Sequence, residues 1–517
     1  MIRNTTADIN QAIAKLNELA EKPDVDRKAR LHPAFYGEAP NLTKTKIVAT
    51  IGPASASKEA IAQFVNLGVS VFRLNMSHCT HEFALQVIKD LRSYLEETEL
   101  TAEVGIWVDI NGPKVRTGKL KGDKPVQLIA GQDFYVINDE NYEGDEKGVA
   151  TTYTKKLVEI GDKIIVDDGL IALNVVERVP EGVRCIVENS GLLGPHKGIN
   201  FPSHVIEELP AVSDKDAQDL KFALDNQADF VSVSCIRNLD DVQEVRLLLG
   251  NSRTKLLSKI ENERSLENFE AILKISDGIV IDRGYLGAEV DVEYVTSAQK
   301  QVIAMANTAG KPVLVSNQML ESMKDHPRPS RSEAADVANA VLDGADGLIL
   351  SAETAIGKFM IEAVTTMRRI SWHAEKGNNY VEWQAKLMRT IPKPIGISES
   401  IASSAVLCAR QVGAACIIAV TEFGGTARLI SKYRPSIPII VATLIRQTAR
   451  QMGVSFGIVP YYHPGSPETI LYETVRFIVE LGLAKPGDIV VVTSGQNIGF
   501  LEGTTTKMQV LNVPHFA

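Results

Sequence analysis

From Thr45 onward the chain repeats one pattern: a short apolar run, a few polar residues, then apolar positions at helical spacing. The runs fall at residues 45–52 (TKIVATIG), 71–76 (VFRLNM), 106–111 (IWVDIN) and 230–236 (FVSVSCI). Four more follow at 255–262 (KLLSKIEN), 278–284 (GIVIDRG), 313–319 (VLVSNQM) and 347–353 (GLILSAE). Each is β-branched and nearly continuous in hydrophobicity, as a parallel strand buried on both faces must be, and the intervals leave room for crossover helices. Eight such units in succession predict a closed (β/α)8 TIM barrel within an α/β protein rather than an open sheet.

One interval breaks the rhythm. Between Asn111 and Phe230 the pattern turns to alternation, with residues 163–176 (KIIVDDGLIALNVV) centred on Asp167-Asp168-Gly169, a hairpin signal, and alternation again at 182–187. This predicts a small β-rich domain, expected as a β-barrel, inserted at a barrel loop. The helical pattern of 214–225 then leads back to the fourth barrel strand. Past residue 392, runs at 412–420, 437–442, 488–493 and 508–513 predict a C-terminal α/β domain. Ile9, Ile13, Leu16 and Leu19 stand at the spacing of an amphipathic helix. The expected organisation is an N-terminal helical segment (1–42), a barrel (43–112 and 213–390), an inserted lid (113–212) and a C-terminal domain for effector binding and assembly (391–517).

Composition narrows the function classes. A chain of 517 residues exceeds a single core, and 44% apolar with 23% charged residues is ordinary for a globular protein. The net charge of −9 argues against nucleic acid or an anionic membrane as partner, so anionic ligands need a local cluster of cations. Five scattered cysteines without a CxxC pair suit a reducing compartment. No apolar run approaches the about 20 residues that span a bilayer. Asp8, Glu18, Glu21, Asp24 and Asp26 are unlike a secretory signal or an acid-poor transit peptide. The expected location is the cytoplasm.

Barrel chemistry sits at the C-terminal ends of the strands. There the chain places Arg73, Asn75, Ser77 and His78 after strand two, Asp109 on strand three, and Lys259 with Glu261 on strand five. Asp282, Gly284 and Tyr285 follow on strand six, Asn317 on strand seven, and Ser351 with Glu353 on strand eight. Residues two apart share a strand face, so Arg73 with Asn75, and Lys259 with Glu261, can enter one mouth. A buried Lys–Glu pair alone could be a structural ion pair. Cations and carboxylates converging from five strands are what a phosphorylated acid requires, since charge on a transferring phosphoryl group is met by Lys, Arg and divalent metal.

At this point a resemblance becomes specific. TKIVATIGPAS (45–55), RLNMSH (73–78), GPKVRTG (112–118), SKIEN (258–262), QMLESM (318–323), PRPSR (327–331) and DVANAVLDGAD (336–346) resemble, in order and spacing, the signatures of the pyruvate kinase family. The resemblance spans roughly residues 42–517. It implies transfer of a phosphoryl group from phosphoenolpyruvate to ADP, giving pyruvate and ATP, with Mg²⁺ or Mn²⁺, in a homotetramer with a mobile lid. By resemblance Arg73 holds the phosphate, Lys259 stabilises the phosphoryl group in flight, Glu261 ligates the divalent ion, and the Gly284 N–H receives the substrate carboxylate. Asn75, His78, Arg116 and Lys197 (HKGIN) would face the nucleotide phosphates. Asn75, Ser77, Asp109 and the Ile110 carbonyl would line a K⁺ site.

The departures from the family pattern are as informative as the matches. Where the family reads A-R-G-D-L-G, this chain has Asp282-Arg283-Gly284-Tyr285-Leu286-Gly287. The neutral phenol of Tyr285 is a poor Mg²⁺ ligand. Asp282 adds a carboxylate upstream, but odd spacing sets it on the other strand face unless the chain turns there. Asn317 replaces the Thr of the proton-delivery network, and an amide does not relay a proton as a hydroxyl does. Ile110, Asn111 and Lys114 depart from the K⁺-dependent pattern, leaving the choice open between a bound K⁺ and the fixed ammonium of Lys114. Cys79 stands where the family has Gly, a strained position if its φ is positive. Thr421, Gly424 and Thr426 follow a strand and open a helix, resembling a sugar-phosphate effector loop, with residues 493–500 as its facing loop, although a plain strand-to-helix turn explains the pattern as well. Three readings are in play: an active kinase, a catalytically weak paralogue that binds ligand and regulates a sister subunit, and a different reaction on the same acid, such as oxaloacetate decarboxylation.

Overall fold

A computed structural model describes residues 43–98, 103–112, 115–139, 141–151, 158–167, 169–201, 210–495 and 505–516. The helical segment expected before residue 43, together with Lys114, Asp168 and residues 496–504, lies outside the described residues.

The eight expected strands form a closed parallel barrel: Lys46–Thr50, Val71–Asn75, Gly105–Ile110, Phe230–Val233, Lys255–Ile260, Gly278–Asp282, Val313–Ser316 and Gly347–Leu350. Closure is made by strand one on strand eight, Lys46 opposite Gly347. Two layers of inward side chains follow from the period of two. The lower holds Val48, Val71, Trp107, Phe230, Leu257, Val280, Leu314 and Ile349, a packed apolar cluster with one residue from each strand. Val454, from the C-terminal third of the chain, completes this cluster and so floors the barrel. Two residues further along each strand the layer is polar throughout: Thr50, Arg73, Asp109, Ser232, Lys259, Asp282, Ser316 and Ser351. The same alternation that builds the core therefore lifts the charged groups to the mouth.

Between strands three and four the described insert forms a six-stranded sheet, in the order Ile199–Asn200, Lys163–Val166, Ile171–Val179, Gly182–Val187, Asp133–Ile137 and Gly148–Ala150. Val126–Leu128 and Gly191–Leu193 pair separately. Residues 115–118 link the two edges of the six-stranded sheet, Arg116 bridging Gly198 beside one edge strand and Thr117 bridging Thr151 beside the other, as the expected small β-barrel requires. The insert has one apolar core containing Leu128, Phe134, Ile164 and Leu193. A register shift between Val175 and Glu177 bends the longest strand. The hairpin read at 163–176 is present. The helix Asp214–Asp225 is also as expected, opened by a capping box between Ser213 and Asp216.

The C-terminal sheet has five strands, ordered Ile458–Tyr462, Ile439–Thr443, Cys416–Val420, Ile489–Gly495 and Thr505–Asn512, the last antiparallel. The strand at Ile458–Tyr462 was not expected. It carries Pro460, which cannot donate to a ladder, and it survives because it is an edge strand.

Candidate active site

Arg73 and Lys259 rise from the polar layer side by side. Arg73 Nε donates to Asp109 Oδ2 at 2.8 Å and its Nη1 to Thr50 Oγ1 at 2.9 Å. Asp109 also accepts from Ser232 Oγ at 2.6 Å. The Lys259 ammonium donates to Ser234 Oγ at 3.0 Å and lies 3.0 Å from Asp282, 3.4 Å from Glu261 and 3.6 Å from Asp109. These side chains are almost wholly buried, where an uncompensated charge costs several kcal/mol. Burial acts to discharge Lys259, but Asp109, Glu261 and Asp282 outweigh it and hold its pKa well above the ordinary lysine value.

Above this cluster opens a cleft of about 800 Å³, bordered by Arg73, Lys259, Asp282, Gly284, Tyr285, Asn317 and Ser351. Asn75, His78 and Arg116 also line it. Tyr285 forms part of the wall and leaves room for a three-carbon phosphorylated acid. Glu261 faces a smaller neighbouring cavity, whose border Tyr285 and Arg116 share with the main cleft. Its carboxylate accepts the backbone N–H of Cys235, a residue at φ +59°.

The turn that decides where Asp282 points is real: strand six ends at Asp282 and a helix, Arg283–Glu289, begins at the next residue. Asp282 and Tyr285 therefore both reach the cleft, despite their odd spacing. Yet Asp282 is not open to a metal. One oxygen meets Lys259, and the other accepts the amide of Asn317. Asn317 has φ +69° and Gln318 φ +52°, and Asn317 Oδ1 accepts from Ser351 Oγ at 2.9 Å. Arg283 holds this left-handed pair, donating to the carbonyls of Asn317 at 2.7 Å and Gln318 at 3.0 Å while pairing with Asp336 at 2.7 Å. Arg283 and Asp336 were not singled out from the sequence, although both stand inside the motifs at strand six and at 336–346.

The other expected residues are placed less uniformly. Asn75 Oδ1 accepts the Ser77 N–H at 3.1 Å, and Ser77 Oγ donates to Asn111 at 2.7 Å, so the departure at 111 touches the expected K⁺ ring directly. Asp109 is turned to Arg73 and Ser232, and Ile110 is buried. Lys197 is absent from the cleft border; its ammonium sits 2.9 Å from Asp167 within the insert. Cys79 does not have a positive φ, so the strain expected there does not arise. In the C-terminal loop Thr421 Oγ1 accepts from the Gly424 N–H at 3.0 Å, and Thr426 is buried with its hydroxyl on that of Thr505. Gly424 has φ +79°, a left-handed backbone that strains a residue bearing a Cβ, and a Cβ there would fall 2.4 Å from Met452 Cε.

Among the described residues no group of three or more His, Cys, Asp or Glu is arranged to hold a metal. Of the two carboxylates that the resemblance assigns to the divalent ion, Glu261 is in place, position 285 is a phenol, and both oxygens of Asp282 are engaged. The donor set does not fit a two-carboxylate divalent site.

A closed barrel with Arg and Lys converging at the C-terminal mouth, under an inserted β-rich unit, defines a phosphoryl-transfer barrel. Comparison narrows the class. Residues 42–364 match the family model described as pyruvate kinase, barrel domain, and 399–511 match pyruvate kinase, alpha/beta domain. The chain is 41% identical over 482 residues to a pyruvate kinase of Dictyostelium discoideum, covering 91% of this chain and 94% of the relative. It is 39% identical over 489 residues to a human pyruvate kinase, covering 91% and 85%. The crystal structure of a pyruvate kinase from Cryptosporidium parvum superposes with a TM-score of 0.84 at 37% identity, covering 91% of this chain and 96% of that one. The chain belongs to the pyruvate kinase family.

Proposed function

We propose that this chain transfers a phosphoryl group from phosphoenolpyruvate to ADP, releasing pyruvate and ATP. The observation that carries the reading is the pair Arg73 and Lys259, buried and adjacent on the border of one roomy cleft. Arg73, already oriented by Asp109 and Thr50, holds the substrate phosphate without further reorganisation. Lys259 stabilises the group in flight: three carboxylates keep it charged, and the anionic phosphoryl group draws the ammonium outward. The backbone N–H of Gly284, in the first turn of its helix, receives the substrate carboxylate. Asn317 hydrogen-bonds substrate and passes no proton itself; proton delivery to the enol carbon falls to water and hydroxyls such as Ser351.

Asn75, His78 and Arg116 take the nucleotide phosphates, and Lys197 joins them on leaving Asp167 as the insert closes. The family's divalent ion, Mg²⁺ or Mn²⁺, would rest on Glu261 and the substrates' own oxygens. K⁺ binding at Asn75, Ser77, Asp109 and Ile110, or its replacement by Lys114, belongs to the same proposal. So do the division at 43–112 with 213–390, 113–212 and 391–517, cytoplasmic location, homotetramer formation and a sugar-phosphate effector at Thr421, Gly424 and Thr426. Among the described residues no helix is long and apolar enough to cross a membrane.

The decisive experiment follows pyruvate formation from phosphoenolpyruvate and ADP with Mg²⁺ or Mn²⁺, with and without K⁺. Turnover lost in Lys259→Met supports the assignment. Absence of turnover under every ion condition, in a chain that still folds, overturns it.

A further inference from the structure

The insert and the barrel meet along a seam that the reaction, as described, leaves unused. The small cavity beside the main cleft is bordered by Arg116, Ile199 and Asn200 from the insert and by Glu261, Tyr285 and Glu289 from the barrel. Across it, Asn200 Nδ2 donates to Glu289 Oε1 at 2.8 Å. Asn200 ends the short strand Ile199–Asn200, which is paired with Lys163–Val166. Glu289 ends the helix Arg283–Glu289, whose first turn carries Gly284 and Tyr285. A second insert segment approaches the same helix end: a Cβ built on Gly169, at φ +95°, would lie 4.0 Å from the Cβ of Ala288.

The seam is tied to the cleft through the backbone. The Ile199 N–H donates to the Val115 carbonyl at 3.1 Å, and Gly198 bridges Arg116 in antiparallel register. Arg116 borders both cavities. Whatever fixes Asn200 therefore fixes the strand that sets Arg116. A half-buried carboxylate facing an amide suits this task, because a hydrogen bond to a charged group is stronger than one between neutral groups. Charged and titratable groups near Glu289 are Glu261, Glu263, Tyr285, Cys235, Arg116, and Arg237, the last held by Asp241 at 2.8 Å; Asp167, paired with Lys197, lies on the adjoining insert turn. Burial raises the Glu289 carboxyl to about 7, the Asn200 bond opposes this, and Glu261 and Glu263 add to it.

We propose that Asn200 and Glu289 form a latch that seats the insert on the barrel, making Glu289 a positioning residue for the nucleotide phosphates through Arg116. The proposal rests on the kinase reading for its kinetic consequence, but the latch itself is measurable without turnover. In steady-state assays of the full chain, Glu289→Ala and Asn200→Ala each raise the KM for ADP about tenfold, while kcat and the KM for phosphoenolpyruvate change less than about twofold. Glu289→Gln keeps an acceptor for Asn200 and restores the KM. Asn200→Asp sets two carboxylates face to face and is rescued by adding Glu289→Gln, which reverses the polarity of the bond.

Amide hydrogen exchange in residues 191–201 reads the latch directly. Faster exchange there in Glu289→Ala, with the barrel strand Lys255–Ile260 unchanged, supports it even if the native chain shows no turnover. Unchanged exchange at 191–201, or a uniform loss of stability with no selective rise in the KM for ADP, overturns it.

Discussion

The side-chain amide of Asn317 donates to the carboxylate of Asp282, and that carboxylate in turn faces the Lys259 ammonium at 3.0 Å. Two positions that depart from the family pattern, 35 residues apart in the chain, are thus one contact. The pair anchors the phosphoryl-handling lysine from the strand-six side.

Because the two side chains share a bond, their substitutions should not add. Asp282→Ala alone leaves the Asn317 amide and part of the Lys259 charge without their partner, and should cost about 2 kcal/mol of stability. Asp282→Ala combined with Asn317→Thr should cost clearly less than the sum of the singles. Urea denaturation of the two singles and the double tests this, and strict additivity would refute the coupling.

Lys259→Met should lower kcat/KM by about a hundred- to a thousandfold, the usual loss when one electrostatic donor to a transition state is removed. It should also destabilise the fold, because Glu261 and Asp282 then lose the Lys259 ammonium and Asp109 keeps only Arg73. Their carboxyls would rise, so the variant should regain stability as pH falls. A variant equally stable at pH 5 and pH 8, relative to the parent, contradicts this.

Metal dependence should be weak and correctable. With Glu261 as the one carboxylate at the two positions that the resemblance assigns to the ion, half-maximal activity should require a high Mg²⁺ concentration. Tyr285→Asp should lower that requirement by about tenfold, since Mg²⁺ prefers charged oxygens. Titration of both proteins with Mg²⁺ after chelator treatment decides the point. An unchanged midpoint would mean that position 285 does not meet the ion.

Away from the mouth, Glu103 is buried and accepts from Arg446 Nε at 3.0 Å. Burial pushes its carboxyl up to about 7 from the ordinary 4.5, against the pull of Arg446 and Arg450. A raised folded value means the native state binds the proton more tightly. The contribution is full below about 4.5 and is lost as pH rises through about 7, a change on the order of 3 kcal/mol. Glu103→Gln should flatten the fall in urea midpoint between pH 5 and pH 8. Parallel pH curves for variant and parent would exclude it.

The barrel was legible because its strands are buried on both faces and so read as continuous apolar runs. The polar layer was legible for the same reason, since Arg73, Lys259 and Asp282 stand two residues beyond core positions. Ile458–Tyr462 escaped because Pro460 argues against a strand unless its edge placement is known. The orientation of Asp282 depended on where strand gave way to helix, a boundary that periodicity locates poorly. Arg283 with Asp336, and Asn200 with Glu289, are contacts between distant segments, and no local pattern announces them.

The floor supplied by Val454 has a practical consequence. A fragment ending after the eighth strand would expose the lower apolar layer to water through an open base, and would also lose the Arg450 contact to Asp229 at 2.9 Å. Catalytic and C-terminal halves should therefore resist separation by truncation, and limited digestion between them should yield an associated, nicked complex instead of a soluble free barrel.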